Sequence, residues 1–409
     1  MTMTSPRPAP GVAAAPSPGA PSDGSSGAPA HAPFGRTLTA FVLTAVLVSG
    51  QLYVVIPLLH AMAGGWGASP GALTWLVTAF GIGYGVGFLV FGPLSDRYGR
   101  RRILMVGLPL AALTTALVAA STGPEAALAL RAVQGVAVAM FPPAGMAYLA
   151  ERLEPRRRVV AIAAVTGAFL ASAVVLQVAA QLLVDVIGWR GLFLGMAAAF
   201  ALAALGVRAV MLPDLPRAGA GSLLSAYRAV PGLLFHRVLT LRYVATVLLM
   251  VTFVALYTGL QIHGGVSPAE LLTLRASGLP SIVLVPLVMP FLARVSSTAR
   301  AASFMAAGAL ALAVTGVSGA SGLVLALLLA AYVAAITGGL PSMNEAISAP
   351  AGPARGTALA LFSAALAVGG SVGPQVAAAF GGFSTLAYGL AASLLLAALA
   401  VLVSARRPA

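Results

Sequence analysis

The chain has 409 residues, of which 60% are hydrophobic and only 8% are charged. Its mean hydropathy of +0.99 is too high for a water-soluble globular protein, so the composition indicates a protein of the lipid bilayer. All 23 basic residues are arginines and the sequence has no lysine and no cysteine, which excludes a Walker A nucleotide site, Schiff-base chemistry and thiol catalysis. We therefore expect no enzymatic activity, no cofactor and no metal site.

The first 35 residues differ in composition from the rest of the chain. They consist largely of Pro, Ala, Gly and Ser, and a segment of this kind cannot bury an apolar core. The stretch also lacks the apolar run that a signal peptide needs. We predict a disordered cytoplasmic tail over residues 1–35.

Apolar runs then recur as far as the C-terminus, separated by short clusters of Gly, Pro or Arg. Because one membrane-crossing helix takes about 20 apolar residues, these runs predict an all-α membrane protein with twelve transmembrane helices. We place the helices near residues 37–62, 72–95, 102–121, 125–149, 159–184, 190–211, 241–262, 270–293, 300–318, 321–347, 354–380 and 384–404.

The positions of the arginines test this topology. With both termini in the cytoplasm, 20 of the 23 arginines lie on the inner side, and only Arg131, Arg190 and Arg275 remain for the outer half. Cytoplasmic loops carry an excess of basic residues, so the distribution favours this orientation. The net charge of +14 does not indicate nucleic-acid binding, because such binding needs basic residues clustered on a soluble domain.

An internal repeat divides the chain into two halves. A shift of 198 residues without a gap superposes Arg102 on Arg300, Pro143 on Pro341 and residues 177–180 on residues 375–378. Each half holds six predicted helices, so the two halves have the same orientation, as parallel repeats do. We expect these units: a first half at 36–212, a cytoplasmic linker at 213–240, a second half at 241–405 and a cytoplasmic tail at 406–409.

The turn after the second predicted helix reads GPLSDRYGRRR over residues 92–102. Its glycines allow a tight turn, its aspartate offers a carboxylate to a helix N-terminus or an arginine, and its basic run anchors the inner face. This order of residues resembles the signature between helices 2 and 3 of the major facilitator superfamily. The resemblance implies that superfamily's transporter fold, with a cytoplasmic latch formed by Gly92, Asp96, Arg97, Gly99, Arg100 and Arg101.

A second resemblance lies in the fourth helix, where residues 131–135 read RAVQG. The run is similar to an arginine-containing pattern of the same superfamily, whose arginine faces the central cavity and is associated with proton coupling or anionic substrates. An arginine inside the membrane costs about 2.5–3.5 kcal/mol, which suggests a role in the cavity for Arg131 and for Gln134 beside it. The alternative is that the charged end of Arg131 reaches the outer interface.

The fifth helix departs from the drug–proton antiporter branch of the superfamily, because the Gly-Pro and Gly-Gly pairs of that branch are absent at the aligned positions. Gln177 and Gln181 lie there instead, one helical turn apart, so we expect both to face the cavity. Four polar residues of the first and seventh helices are further cavity candidates: Gln51, Tyr53, Tyr257 and Gln261. Anchoring at the membrane interface is an equal alternative for Gln261.

Glycines at positions 81, 83, 85 and 87 resemble a dinucleotide-binding fingerprint, but they lie inside an uncharged helical run with no preceding strand. Their spacing instead predicts two faces of small residues for close helix packing. In the resembled fold, helices 2 and 11 meet between the halves, where such packing is needed.

The resemblance implies a secondary active transporter that works by alternating access, and the sparse charge of the expected cavity favours a small, partly apolar molecule. Efflux of a drug or a metabolite is the first prediction, and an importer or facilitator of a small metabolite is the alternative. No acidic residue lies in the middle of a predicted helix, so proton coupling stays open, with Asp185 and Glu125 as the most accessible acids. We expect a monomer in the plasma membrane whose partners are the lipid bilayer, a small-molecule substrate and, if transport is coupled, protons.

Overall fold

The computed structural model describes residues 31–214, 228–318, 322–352 and 355–405. These ranges contain helices and turns and no strand. Most of the predicted N-terminal tail, the middle of the predicted linker and the predicted C-terminal tail lie outside the described residues.

Fifteen α-helices follow one another along the described chain. They are α1 (Phe34–Gly50), α2 (Leu59–Trp66), α3 (Trp75–Tyr98), α4 (Arg100–Ala119), α5 (Pro124–Val138), α6 (Phe141–Arg152), α7 (Pro155–Val210), α8 (Ala229–Leu234), α9 (Arg237–His263), α10 (Pro268–Ala276), α11 (Leu279–Val288), α12 (Ser297–Ser318), α13 (Gly322–Ser348), α14 (Arg355–Ala379) and α15 (Phe383–Ala405). Three short 3-10 turns complete the set: Ile56–Leu58, Ala72–Thr74 and Met289–Arg294.

Three of the predicted helices are broken rather than continuous. The helix predicted at 37–62 consists of α1, a turn and α2, and Pro57 lies in the intervening 3-10 turn. The helix predicted at 125–149 is divided into α5 and α6, and the helix predicted at 270–293 into α10, α11 and a 3-10 turn. Proline lies in the first turn of α6 and of α11, where its missing N–H removes one hydrogen bond that a continuous helix would make.

The fifth and sixth predicted helices are joined in α7, which changes direction at Gly188. This residue has φ of 68°, a left-handed value that glycine adopts without strain. We refer to residues 155–187 as the first arm of α7 and to residues 189–210 as its second arm.

Nine helices in the described residues are long and apolar enough to cross a membrane. Helix pairs in one half correspond to pairs in the other: α1 packs on α7 as α9 packs on α14, and α4 packs on α7 as α12 packs on α15. The architecture is therefore the predicted all-α membrane fold with two pseudo-symmetric six-helix halves.

The two halves meet along α3 and α14. These helices are antiparallel, because Thr78 lies beside Ser371 while Gly85 lies beside Ala367. The end of α3 near Tyr98 and the start of α14 near Arg355 consequently lie at one end of the bundle. We call it the arginine-rich end, since the turns at 97–102, 152–158 and 294–300 belong to it, and we call the other the opposite end.

Candidate functional site

A cavity lies between the two halves near the middle of the bundle. The space between its walls is about 410 Å³, a figure that includes open solvent. The first half contributes the segment around Tyr53 and the first arm of α7, and the second half contributes α9 and α13. The lining residues are Tyr53, Phe169, Ala173, Val174, Met250, Phe253, Val333, Ile336, Thr337 and Leu340.

The walls of this cavity offer few polar groups. The hydroxyl of Thr337 donates to the carbonyl of Val333 at 2.8 Å, and that of Tyr53 donates to the sulfur of Met250 at 3.6 Å. The rings of Tyr53 and Phe253 meet edge to face, with centroids 6.0 Å apart. A guest molecule would therefore contact mainly aliphatic and aromatic surface, which favours apolar ligands.

Arg131 is fully buried in the first half, and each of its three guanidinium nitrogens donates a hydrogen bond. Nη1 donates to the side-chain oxygen of Gln134 at 2.7 Å, and Nη2 donates to the carbonyl of Gln51 at 2.8 Å. Nε donates to the carbonyl of Leu76 at 3.3 Å, and the guanidinium carbon lies 4.2 Å from the ring centre of Phe80. All these partners belong to the first half.

These contacts explain how the chain tolerates the break after α1. The turn at residues 51–55 leaves carbonyls without helical partners, and Arg131 bonds to one of them, that of Gln51. Gln134 connects the same cluster to Gln51 at 3.1 Å and to Thr115 at 2.7 Å. The structure thus places the predicted residues Arg131, Gln134 and Gln51 together, but outside the set that lines the cavity.

A second buried arginine lies at the opposite end, between the halves. Arg275 of α10 is 1% exposed and donates from Nη1 to Gln181 of α7 and from Nη2 to Gln261 of α9. The amide of Gln261 also contacts His60 of α2 at 3.0 Å. We call Arg275, Gln181, Gln261 and His60 the Arg275 cluster, and it joins two elements of each half.

Two buried polar atoms lie near this cluster without a hydrogen-bond partner. They are the hydroxyl of Tyr257 and the side-chain oxygen of Gln177. Each residue is 1% exposed, and each lies one helical turn from a cavity-lining residue, Phe253 and Ala173 respectively. A buried polar group without a partner costs about 1–3 kcal/mol, so these atoms are candidates for contacts to a ligand.

The contact between α3 and α14 depends on small and polar side chains. Thr78 donates to the carbonyl of Ser371 at 2.5 Å, and Gln375 donates to Thr74 and Thr78 at 3.1 Å each. A Cβ atom at Gly81 would overlap the side chain of Ser371. Gly83 and Gly87 instead lie against α5 and the residues that follow it, so the two predicted small-residue faces pack against different helices.

The predicted latch at the arginine-rich end is centred on Arg100, which is 8% exposed. Its guanidinium pairs with Asp96, lies 3.1 Å from a carboxylate oxygen of Glu151 and donates to the hydroxyl of Ser95 at 2.6 Å. In the second half, Arg300 pairs with Glu345 at the same end of the bundle. The bonds of Arg100 join α3, α4 and α6, so they stabilise the first half internally.

Gly99 divides α3 from α4 with φ of 104°, which favours glycine. A Cβ atom here would also overlap the carboxylate of Asp214, which accepts a hydrogen bond from the backbone N–H of Arg101 at 2.9 Å. Gly92 has open space around it, and Arg97 is exposed beside the ring of Tyr98. Of the predicted latch residues, Asp96, Gly99, Arg100 and Arg101 therefore take part in these contacts. The carbonyl of Gly92 accepts a hydrogen bond from the hydroxyl of Ser95 at 2.9 Å, and Arg97 lies against the ring of Tyr98.

The family model of the Major Facilitator Superfamily matches residues 41–374. The chain belongs to this superfamily. It is therefore a membrane transporter and not an enzyme, as the sequence predicts.

Two relatives come from Streptomyces. A probable transporter of Streptomyces coelicolor is 30% identical over 196 residues, or 48% of this chain and 45% of the relative. The tetracenomycin C resistance and export protein of Streptomyces glaucescens is 29% identical over 147 residues, or 36% of this chain and 27% of the relative. The chain thus matches less than half the length of these relatives.

Among solved structures, a mutant form of the nucleoside transporter NupG superposes with a TM-score of 0.70 at 14% identity. The match covers 90% of this chain and 100% of NupG. At this identity the similarity shows the superfamily fold alone.

Within the superfamily fold, Arg275 is the functional candidate that the sequence does not reveal. The sequence groups it with the outer arginines and gives no sign of a role in the cavity. The one available signal is the spacing of Arg275 from Pro268: it lies two helical turns inside the membrane-facing run, not at its edge. Its partners Gln181 and Gln261 are both predicted cavity residues.

Proposed function

We propose that this transporter exports a small, largely apolar molecule from the cell by alternating access. The observation that carries the proposal is the cavity between the halves, whose walls are apolar and aromatic. A wall of this composition stabilises a guest by excluding water and does not require a specific set of hydrogen bonds. The relative from Streptomyces glaucescens, described as a resistance and export protein, supports the direction.

The orientation in the plasma membrane follows from the arginines. We propose that the arginine-rich end faces the cytoplasm, together with both termini, because basic residues are retained on that side. The hydrogen bonds between Thr78 and Ser371 and between Gln375 and Thr74 then lie toward the outer side. In this orientation the structure represents a state in which the halves are joined toward the outside.

During transport, contacts between the halves at one end of the bundle would break while contacts at the other end form. Separation of α3 from α14 at the opposite end would open the cavity outward, while the halves approach one another at the arginine-rich end. The small residues on α3 suit this movement, since they allow the helices to approach without interlocking side chains. We propose that the bonds of Arg100 keep the first half rigid during the exchange.

Accumulation in intact cells tests the direction. An efflux-deficient bacterium would express the transporter, and its uptake of a panel of apolar compounds headed by tetracenomycin C would be compared with cells carrying the vector alone. We expect at least one compound to accumulate less in the expressing cells. Higher accumulation of a compound would instead support the alternative, an importer or facilitator of a small metabolite.

A second measurement addresses coupling. The acids Asp185 and Glu125 are both exposed, and the cavity lining contains no carboxylate among the described residues. Flux into proteoliposomes, with and without an imposed pH gradient, separates a proton-coupled transporter from a facilitator. Stimulation by the gradient would establish coupling, and equal flux would support facilitated movement.

A further inference from the structure

The charge of Arg275 has no counter-charge in the described part of the chain. The ion pairs there involve Arg100, Arg157 and Arg300. The acid nearest in the sequence, Glu270, accepts a hydrogen bond from the backbone of Gly322 at 3.3 Å in an exposed contact. The two side chains that accept hydrogen bonds from this cation, which is 1% exposed, are both neutral amides. Buried charges in proteins are ordinarily paired, so the described residues do not supply the negative charge that Arg275 would normally pair with.

The guanidinium also retains unused donors. It carries five N–H groups. One on Nη1 donates to the amide oxygen of Gln181, and one on Nη2 donates to that of Gln261. The Nε of Arg275 is buried without a hydrogen-bond partner. Arg131 is different, because each of its three nitrogens has an acceptor within the first half. Arg275 therefore remains able to bind a further acceptor.

Two further unpartnered groups lie between the cavity-lining residues and the Arg275 cluster along helices α9 and α7. Tyr257, whose buried hydroxyl has no partner, lies with its ring 5.3 Å from that of the cavity residue Phe253. Gln177 lies one turn before Gln181 on α7 and has a free side-chain oxygen. Both groups therefore lie on the side of the cavity that faces the opposite end of the bundle.

We propose that Arg275 binds the anionic group of the transported molecule, whose apolar part occupies the cavity. This proposal rests on the proposed function and names its substrate class, an amphipathic organic anion such as an aromatic carboxylate. A carboxylate accepts two parallel hydrogen bonds from a guanidinium, one of which is available from Nε. The hydroxyl of Tyr257 supplies a further donor beside it.

Binding of the anion would also change the contact between the halves. Gln181 belongs to the first half and Arg275 to the second, so their hydrogen bond holds the opposite end closed. A carboxylate competes with the amide oxygen for the same guanidinium and forms the stronger bond because it is charged. Occupation of the site therefore weakens the bond between the halves and favours opening at this end.

The test uses the full-length transporter in detergent, with 2-naphthoate as the probe and the neutral 2-naphthamide as its matched control. Affinity is taken from the shift of the melting temperature with ligand concentration. We expect wild type to bind 2-naphthoate at least tenfold more tightly than the amide, and Arg275→Gln to lose this preference. Arg190→Gln is the control variant: Arg190 is exposed at the same end, where it donates to the carbonyls of Ala119 and Ser121.

A second variant keeps the test decisive if Arg275→Gln does not fold. Gln181→Leu removes the competing amide, so it is expected to raise the affinity for 2-naphthoate several-fold and to leave that for 2-naphthamide unchanged. A purely structural Arg275 would show no such gain. The proposal is overturned if wild type binds the two probes equally, or if Arg275→Gln retains the preference.

The outcomes separate this proposal from the proposed function. If cells export an apolar compound but the purified protein shows no preference for 2-naphthoate, the anion site is wrong and the exporter stands. If 2-naphthoate binds through Arg275 but no compound of the panel is exported, the site stands and the direction or substrate of the proposed function is wrong.

Discussion

Arg275 of α10 and Gln181 of α7 form a hydrogen bond between the two halves of the transporter. Arg275 is buried. The bond lies between the opposite end of the bundle and an apolar cavity that both halves line. A contact in this position must break whenever the opposite end opens. The proposed alternating access therefore depends on a small number of polar contacts, which single substitutions can address.

The first prediction concerns the interior of the first half. Arg131→Leu leaves the carbonyls of Gln51 and Leu76 and the side-chain oxygen of Gln134 without their donor. Each buried acceptor without a partner costs about 1–3 kcal/mol, so we expect a clearly lower free energy of unfolding. The measurement is the melting temperature of the purified protein in detergent.

Arg208→Leu is the control for this variant, because Arg208 is exposed. We expect its melting temperature to stay close to that of wild type. An Arg131→Leu protein with wild-type stability but no transport would show that Arg131 acts on the transported molecule and not on the fold.

Arg131 also shows what can and cannot be predicted from the sequence. The sequence predicts that Arg131 is buried, because it lies in an otherwise uncharged run. The spacing of the motif predicts that Gln134 lies beside it. The bond of Arg131 to the carbonyl of Gln51 depends on the break after α1, which the sequence does not reveal, because the apolar run continues without interruption through Pro57. A single proline in a long apolar run does not show whether the helix bends or ends.

The turn at residues 92–102 is easier to interpret, because its charged residues can only lie outside the apolar core. The sequence predicts the two helix ends and the glycine between them, and α3 and α4 do meet at Gly99. The role of Arg275 could not be predicted, because an arginine near the end of an apolar run can lie either at the lipid interface or inside the protein. Its spacing from Pro268 places it inside the helix but does not show that it faces Gln181, since that contact joins residues 94 positions apart.

The second prediction concerns the latch. Asp96→Asn removes one partner of Arg100 but leaves Glu151 and the hydroxyl of Ser95. Because Asp96 is largely exposed, we expect stability to change by less than about 1 kcal/mol. We predict a lower flux in matched proteoliposomes at a normal level of protein in the membrane.

Arg100→Gln is expected to be more severe than Asp96→Asn, since it removes the centre of the same cluster and leaves Glu151 without this pairing. Arg97→Gln is the control on the same turn, because Arg97 is exposed. Unchanged flux for both Asp96→Asn and Arg100→Gln would exclude a role of the latch in transport.

The third prediction addresses the cavity. Ile336→Phe adds bulk to a lining position of α13, so we expect the flux of larger compounds to fall several-fold more than that of smaller ones. Leu396→Phe is the matched control, because Leu396 is 61% exposed on the outer surface of the bundle. Competition between two exported compounds of different size directly gives the ratio of the flux of the larger compound to that of the smaller one. An equal loss for both sizes would argue that the cavity does not hold the transported molecule.

Alternating access is tested by a covalent cross-link that prevents α3 and α14 from separating. The chain has no cysteine, so Thr78→Cys with Gln375→Cys places the only two thiols on side chains whose polar atoms lie 3.1 Å apart. A short, reducible bifunctional thiol reagent would join them, and the flux of an exported compound would be measured in proteoliposomes before cross-linking, after it and after reduction. We predict loss of flux to background on cross-linking and recovery on reduction, with no effect of the reagent on either single variant. Full flux through completely cross-linked protein would contradict the separation of the two halves.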